Sequence, residues 1–179
     1  MPMPRVLIAG VGNIFLGDDG FGVEVAARLA ALGLPEWIAV GDYGISGMHL
    51  AYDLADGVEL AILIDAMPRG GEPGTVYVAE PEPGSGPAVF DSHGMQPDVV
   101  LSMLGTLGAQ VPRVLIVGCE PGCAGEGIGL SAPVGAAVDE AVKAVLGLLG
   151  ETQNTGGWPD VPRDTRRGDR VPARPAGSG

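Results

Sequence analysis

Three short runs of almost unbroken aliphatic residues constrain this chain most: Val6-Leu7-Ile8-Ala9, Leu60-Ala61-Ile62-Leu63-Ile64 and Val114-Leu115-Ile116-Val117. A strand with one face in water alternates apolar and polar residues. A run without alternation reads as a strand covered on both faces. Helical spacing separates the runs. Phe21, Val25, Leu29 and Leu32 recur at intervals of four, four and three, with Gly33 as the expected C-cap. Met48 to Leu54 reads as a second, short helix. Pro97 opens a third, carrying Val100, Met103, Leu104 and Leu107. Val134 to Leu149 reads as a last helix, stopped at Gly150. Two more strands are expected, Trp37 to Val40, ending in a turn over Gly41-Asp42-Tyr43-Gly44, and Thr75 to Val78. Strands alternating with helices imply an α/β fold of three layers: a mostly parallel, twisted sheet of about five strands between helices.

At 179 residues and 46% hydrophobic, the chain suits one domain with one core. The expected domain is residues 1–150. From Glu151 onward, Gly, Pro, Arg and Asp follow no period, and residues 151–179 read as a disordered tail. No run of apolar residues is long enough to span a bilayer. The start lacks the cleavage site of a signal peptide, so a cytoplasmic location is expected. Residues 1–150 hold 18 acids and 5 bases, net −13, and residues 151–179 hold 4 acids and 5 arginines, net +1. An acidic body repels phosphate backbones and anionic lipid, so nucleic acid and membrane are not the expected partners. A metal, or a partner with a basic segment, fits better. Two cysteines, Cys119 and Cys123, are too few for a disulfide framework and are expected to be free thiols.

In open α/β sheets, sites collect at the carboxyl ends of strands. The first strand runs into Gly10-Val11-Gly12-Asn13-Ile14-Phe15-Leu16-Gly17-Asp18-Asp19-Gly20, the second is followed by Asp42, and the third closes at Asp65. His93 precedes the third helix. A dinucleotide fingerprint needs glycine where this chain has Phe15, and two carboxylates at the end of the loop would repel a pyrophosphate. There is no phosphate-binding Gly-Lys-Ser/Thr, no Gly-x-Ser-x-Gly and no His-Glu-x-x-His. Asp19, Asp65 and His93 could together hold a divalent ion. Taken singly, Asp19 reads more readily as a helix N-cap and Asp65 as a turn cap than as metal ligands. A Cys119–His93 nucleophilic pair is conceivable, although a buried structural cysteine is the commoner case.

The string Gly10-x-Gly12-Asn13-x-x-x-x-Asp18-Asp19-Gly20-x-Gly22 resembles the opening motif of the hydrogenase maturation proteases. Four further strings follow that family in order: Asp42-x-Gly44-x-x-Gly47-Met48; Ile64-Asp65-Ala66; Ser92-His93-x-x-x-x-Asp98-Val99-x-Leu101; and Gly118-x-x-Pro121 with Gly127-Ile128-Gly129-Leu130-Ser131. The likeness covers roughly residues 5 to 149. It implies an endopeptidase that removes the C-terminal extension of a [NiFe]-hydrogenase large-subunit precursor once nickel is inserted. It also implies that Asp19, Asp65 and His93 contact the metal, a divalent ion, nickel, resident or supplied by the substrate. Some relatives carry Glu where Asp19 stands.

Three protein ligands would leave open positions on the ion for water or a carbonyl oxygen. Asp42 or Asp18 is then placed to orient water or take its proton. The same fold could instead serve a non-catalytic nickel-binding or escort protein of hydrogenase assembly, or a cysteine hydrolase using Cys119.

Overall fold

A computed structural model describes residues 5–81, 100, 104–123 and 125–164. The first aliphatic run becomes strand β1 (Val6–Val11), buried along its whole length. Helix α1 (Phe21–Ala30) and strand β2 (Ile38–Gly44) follow, then helix α2 (Gly47–Ala55) and strand β3 (Leu60–Ala66), also wholly buried. Strands β4 (Val76–Pro81) and β5 (Arg113–Cys119), helix α3 (Ala132–Thr155) and a two-residue strand β6 (Arg163–Asp164) complete the order. The sheet runs β2-β1-β3-β5-β4-β6. Strands β2, β1, β3 and β5 are parallel, with Ile8 beside Val40 and Ile62, and Ile62 beside Leu115. Strand β4 is antiparallel to β5. The expected α/β architecture with a mostly parallel sheet is therefore present.

The period of two along each strand divides the aliphatic runs between two faces. Ile8, Ile62, Ile64, Leu115 and Val117 lie against Phe21, Val25 and Leu29 of α1 and Val134, Val138 and Val145 of α3. Leu7, Ala9, Ala61 and Leu63 lie against Leu50 and Leu54 of α2 and against Val100 and Leu104. This double coverage is why these runs carry no polar alternation. Helix α1 sits so close to the sheet that a Cβ on Gly22 would lie 2.0 Å from the Ile64 carbonyl oxygen and 2.4 Å from that of Val11. Only glycine lets backbone meet backbone there.

The structure corrects several expectations. Helix α1 stops at Ala30, so Leu32 lies beyond it and is 54% exposed. Strand β2 continues through the residues expected to turn, with Gly10 opposite Asp42 and a register shift before Val11 meets Gly44. The turn comes only at Gly44, which has φ +51°. Of the third expected helix, residue 100 and residues 104–106 are helical, Leu107 falls past it, and Pro97 and Met103 lie outside the described residues.

The largest correction concerns the expected tail. Helix α3 passes through Gly150 and ends at Gly156, where φ is +63°. One glycine inside a helix costs about 1 kcal/mol. That loss is outweighed by the burial of Leu148 and Leu149 before it and Thr152 after it. Beyond the helix, Val161 enters the core, the Arg113 Nη1 donates to the Pro159 carbonyl at 2.9 Å, and Arg163 and Asp164 pair with β4. The packed body thus reaches at least Asp164 rather than ending at Gly150. Residues 165–179 of the expected tail lie outside the described residues.

Candidate active site

Strand β1 leads through α1 to β2 on one side, and the chain returns through α2 to β3 on the other side of β1. The two crossovers diverge at the carboxyl ends of β1 and β3, the topological switch point where open parallel sheets hold their ligands. Gly12 occupies it. Its φ is +130°, its N–H donates to the Gly44 carbonyl at 2.9 Å, and an added Cβ would lie 1.8 Å from the Asp19 carbonyl oxygen and 3.6 Å from Asp65 Oδ1. No side chain fits between the segments that carry the two acids.

Asp19 lies in a 3-10 turn (Gly17–Gly20) and is 6% exposed. It does not cap α1: the N-cap is Gly20, with no side-chain cap bond. Its carboxylate instead accepts the Asn13 N–H at 2.7 Å, while Asn13 Oδ1 accepts the Phe15 N–H at 3.0 Å. Asp65 is 1% exposed, and its Oδ1 accepts the Ala66 N–H at 2.8 Å. Burial first, and the charge of Asp19 second, hold the Asp65 carboxyl well above the usual carboxylate range, against the opposing Ala66 N–H bond. Two neighbouring buried acids, with the charge of one disfavouring ionisation of the other at Asp65, fit a cation as shared partner, and their oxygens suit a borderline divalent ion. Among the described residues no third ligand completes a cluster. His93, the expected third member, lies outside the described residues.

Asp42 stands exposed near the end of β2, in register with Gly10, and its Oδ1 accepts the Gly44 N–H at 2.9 Å. It also lines the groove between β2 and α2, together with Tyr43, His49 and Asp53. Neither Asp19 nor Asp65 lines that groove, so the acid pair, which has the chemistry, takes precedence over the groove as the candidate site.

Asp18 departs from its expected place as a water-orienting acid. It is fully buried, and four donors converge on it: the N–H groups of Gly122 (2.8 Å), Cys123 (2.7 Å) and Ser131 (2.6 Å), and the Ser131 hydroxyl (2.8 Å). Burial works to raise its pKa, but the bonds from Ser131, Cys123 and Gly122 together outweigh it and hold the carboxyl below its usual value. With its oxygens so engaged, Asp18 is a clamp between the loop after β1 and the loop after β5. The clamp is reinforced by Asp18 N–H to the Cys123 carbonyl at 2.9 Å and Gly17 N–H to the Gly127 carbonyl at 2.8 Å. Sequence reasoning missed this role because the partners lie more than a hundred residues away. Both adjacent acids are buried, so no local signal separates the clamp from its neighbour.

Cys119 is fully buried, and burial, followed by the nearby charge of Asp18, pushes its thiol up to about 12. A thiolate is thus disfavoured where a cysteine hydrolase would need one. Both cysteines are free, as expected, with Cys123 exposed.

Comparison with known proteins agrees with this geometry. A family model described as hydrogenase maturation protease matches residues 23–148. The hydrogenase 2 maturation protease of Escherichia coli is 32% identical over 165 residues, covering 89% of this chain and 97% of that protein. The solved hydrogenase maturating endopeptidase HybD of E. coli superposes with a TM-score of 0.71 at 31% identity, covering 83% of this chain and 93% of the other. The [NiFe] hydrogenase maturation protease HycI of Thermococcus kodakarensis gives 0.68 at 28% identity, over 82% and 92%. No helix among the described residues is long and apolar enough to cross a membrane. Motif order, sheet topology, the acid pair at the switch point and these likenesses converge: the chain is a peptidase that belongs to the hydrogenase maturation protease family.

Proposed function

We propose that this peptidase removes the C-terminal extension of a [NiFe]-hydrogenase large-subunit precursor after nickel insertion, with Asp19, Asp65 and His93 recognising the metal. The observation that carries this reading is the pair of buried carboxylates, 6% and 1% exposed, on either side of a glycine that admits no side chain. Such a pair is costly to hold without a cation, and a nickel ion seated in the precursor would supply that charge only when the precursor is ready. The metal is then part of the substrate, and its presence makes cleavage conditional.

In this mechanism Asp65 is fixed by the Ala66 N–H and Asp19 by the Asn13 N–H, so neither has to reorganise when the substrate arrives. Asp42, exposed at the end of β2, orients the attacking water or takes its proton. The free thiols Cys119 and Cys123 support a reducing compartment, the cytoplasm, as the place of reaction.

The test is cleavage of nickel-loaded and nickel-free precursor by the wild type and by Asp19→Asn, Asp65→Asn, His93→Ala and Asp42→Asn, each checked for folding. The first three are each expected to abolish most cleavage, and double variants to be little worse than singles, since the residues act as one unit. Without substrate, Asp65→Asn is expected to be at least as stable as the wild type, because it removes a buried like charge. Near-normal cleavage by a folded variant removes that residue from the site. Equal cleavage of nickel-free precursor removes the metal from the mechanism.

A further inference from the structure

Large apolar side chains stand in water on the loop that bears Asp19 and on two segments bonded to it. Ile14 is 44% exposed, Phe15 61% and Ile128 78%; Ile45 and Met48 are 58% and 56%. Isolated exposed aliphatics are ordinary on any surface, but these are joined by backbone hydrogen bonds. The Gly127 N–H donates to the Phe15 carbonyl at 2.8 Å, and the Gly17 N–H returns to the Gly127 carbonyl. That ladder sets Ile128 beside the loop of Ile14 and Phe15. On the other side, the Gly12 N–H bond to the Gly44 carbonyl joins the same loop to the segment of Ile45 and Met48. Both lips are therefore tied to the loop that carries Gly12, where an added Cβ would lie 3.6 Å from Asp65 Oδ1.

The lip of Ile14, Phe15 and Ile128 is held in place as well as apolar. The four bonds to Asp18 fix the loop of Ile128 against the loop of Phe15 before anything binds. Side chains held on a fixed frame lose little entropy when covered. The acid pair cannot itself grip an apolar chain. A peptidase must nevertheless draw polypeptide across the mouth of its site, and this collar is continuous with that mouth.

We propose that Ile14, Phe15 and Ile128, faced by Ile45 and Met48, form the docking surface for the precursor, taking an extended segment with aliphatic or aromatic side chains beside the scissile bond. The inference rests on the precursor being the substrate. In the division of labour that follows, the collar supplies affinity while the acids report the metal.

The experiment compares the wild type, Phe15→Ser/Ile128→Ser and, as a control, Leu32→Ser. Leu32 is 54% exposed but lies past the end of α1, away from the site. Binding of nickel-loaded precursor is followed by fluorescence anisotropy, cleavage by kcat and KM, folding by urea titration and self-association by sedimentation. Truncating anchors of an interface weakens binding most, so the double variant is expected to weaken Kd and raise KM by about tenfold or more. Its kcat is expected to stay within about threefold and its urea midpoint unchanged, with the control like wild type in every readout. A folded double variant with unaltered Kd and KM overturns the proposal. So does a wild-type dimer that the double variant dissociates without any change in KM. Wild type that binds the precursor through the collar but does not cleave it sinks the substrate reading and keeps the docking surface. Wild type that neither binds nor cleaves overturns both.

Discussion

Replacing Asp18 by Asn separates a structural acid from a catalytic one. In the native clamp, Oδ2 accepts the Gly122 and Cys123 N–H groups and the Ser131 hydroxyl, while Oδ1 accepts the Ser131 N–H. An amide has one acceptor oxygen. Turned either way, its NH2 must face at least one backbone N–H. The better orientation leaves the Ser131 N–H unsatisfied in a fully buried site, which costs about 1–3 kcal/mol, and the remaining bonds lose their charge assistance. The sum is a loss of about 3 kcal/mol, and Asp18→Ala, which orphans all four donors, is expected to cost more. Urea unfolding at pH 7 reads this loss, and amide exchange at Gly122, Cys123 and Ser131 is expected to accelerate. The pH dependence has a definite sign. The native carboxyl is held below its ordinary value of 3.8, so its contribution is fully present above pH 3.8 and lost as pH falls through the lower folded value. The gap between wild type and Asp18→Asn should therefore be constant from neutrality to about pH 4 and shrink below it. A loss under about 1 kcal/mol with unchanged exchange would refute the clamp. Abolished cleavage at full stability would return Asp18 to the chemistry.

Two further outcomes follow from the packing. Truncation after Gly150 removes the end of α3, buried Thr152 and Val161, and the partner of the β4 edge, and is expected to cost more than about 2 kcal/mol in urea unfolding; an unchanged midpoint would show that residues 151–164 contribute nothing. Gly22→Ala drives a methyl into the carbonyls of Ile64 and Val11, so α1 must lift from the sheet; a loss of at least about 2 kcal/mol is expected in the same assay, and wild-type stability would contradict the contact.

The sequence alone determined what depends on local pattern and chemistry. Aliphatic runs without alternation can be satisfied only by strands covered on both faces, and so the parallel sheet and its two helical layers were legible at Val6–Ala9, Leu60–Ile64 and Val114–Val117. Strand ends gather polar groups, which marks Asp19 and Asp65 as candidates in the sequence itself. Tertiary structure alone decided what depends on residues distant along the chain. Asp18 and Asp19 are the same residue type, one position apart, yet one is a clamp because Gly122, Cys123 and Ser131 reach it, while the other lies beside Asp65. Residues 156–164, beyond the end of α3, have no period because they are held from outside. Arg113 forks onto Glu80 at 2.8 and 2.7 Å and reaches the Pro159 carbonyl, and the open edge of β4 takes Arg163 and Asp164. Periodicity records the face an element must bury by itself. It carries no trace of an edge or a guanidinium that another part of the chain will offer, and that is why the body extends past Gly150.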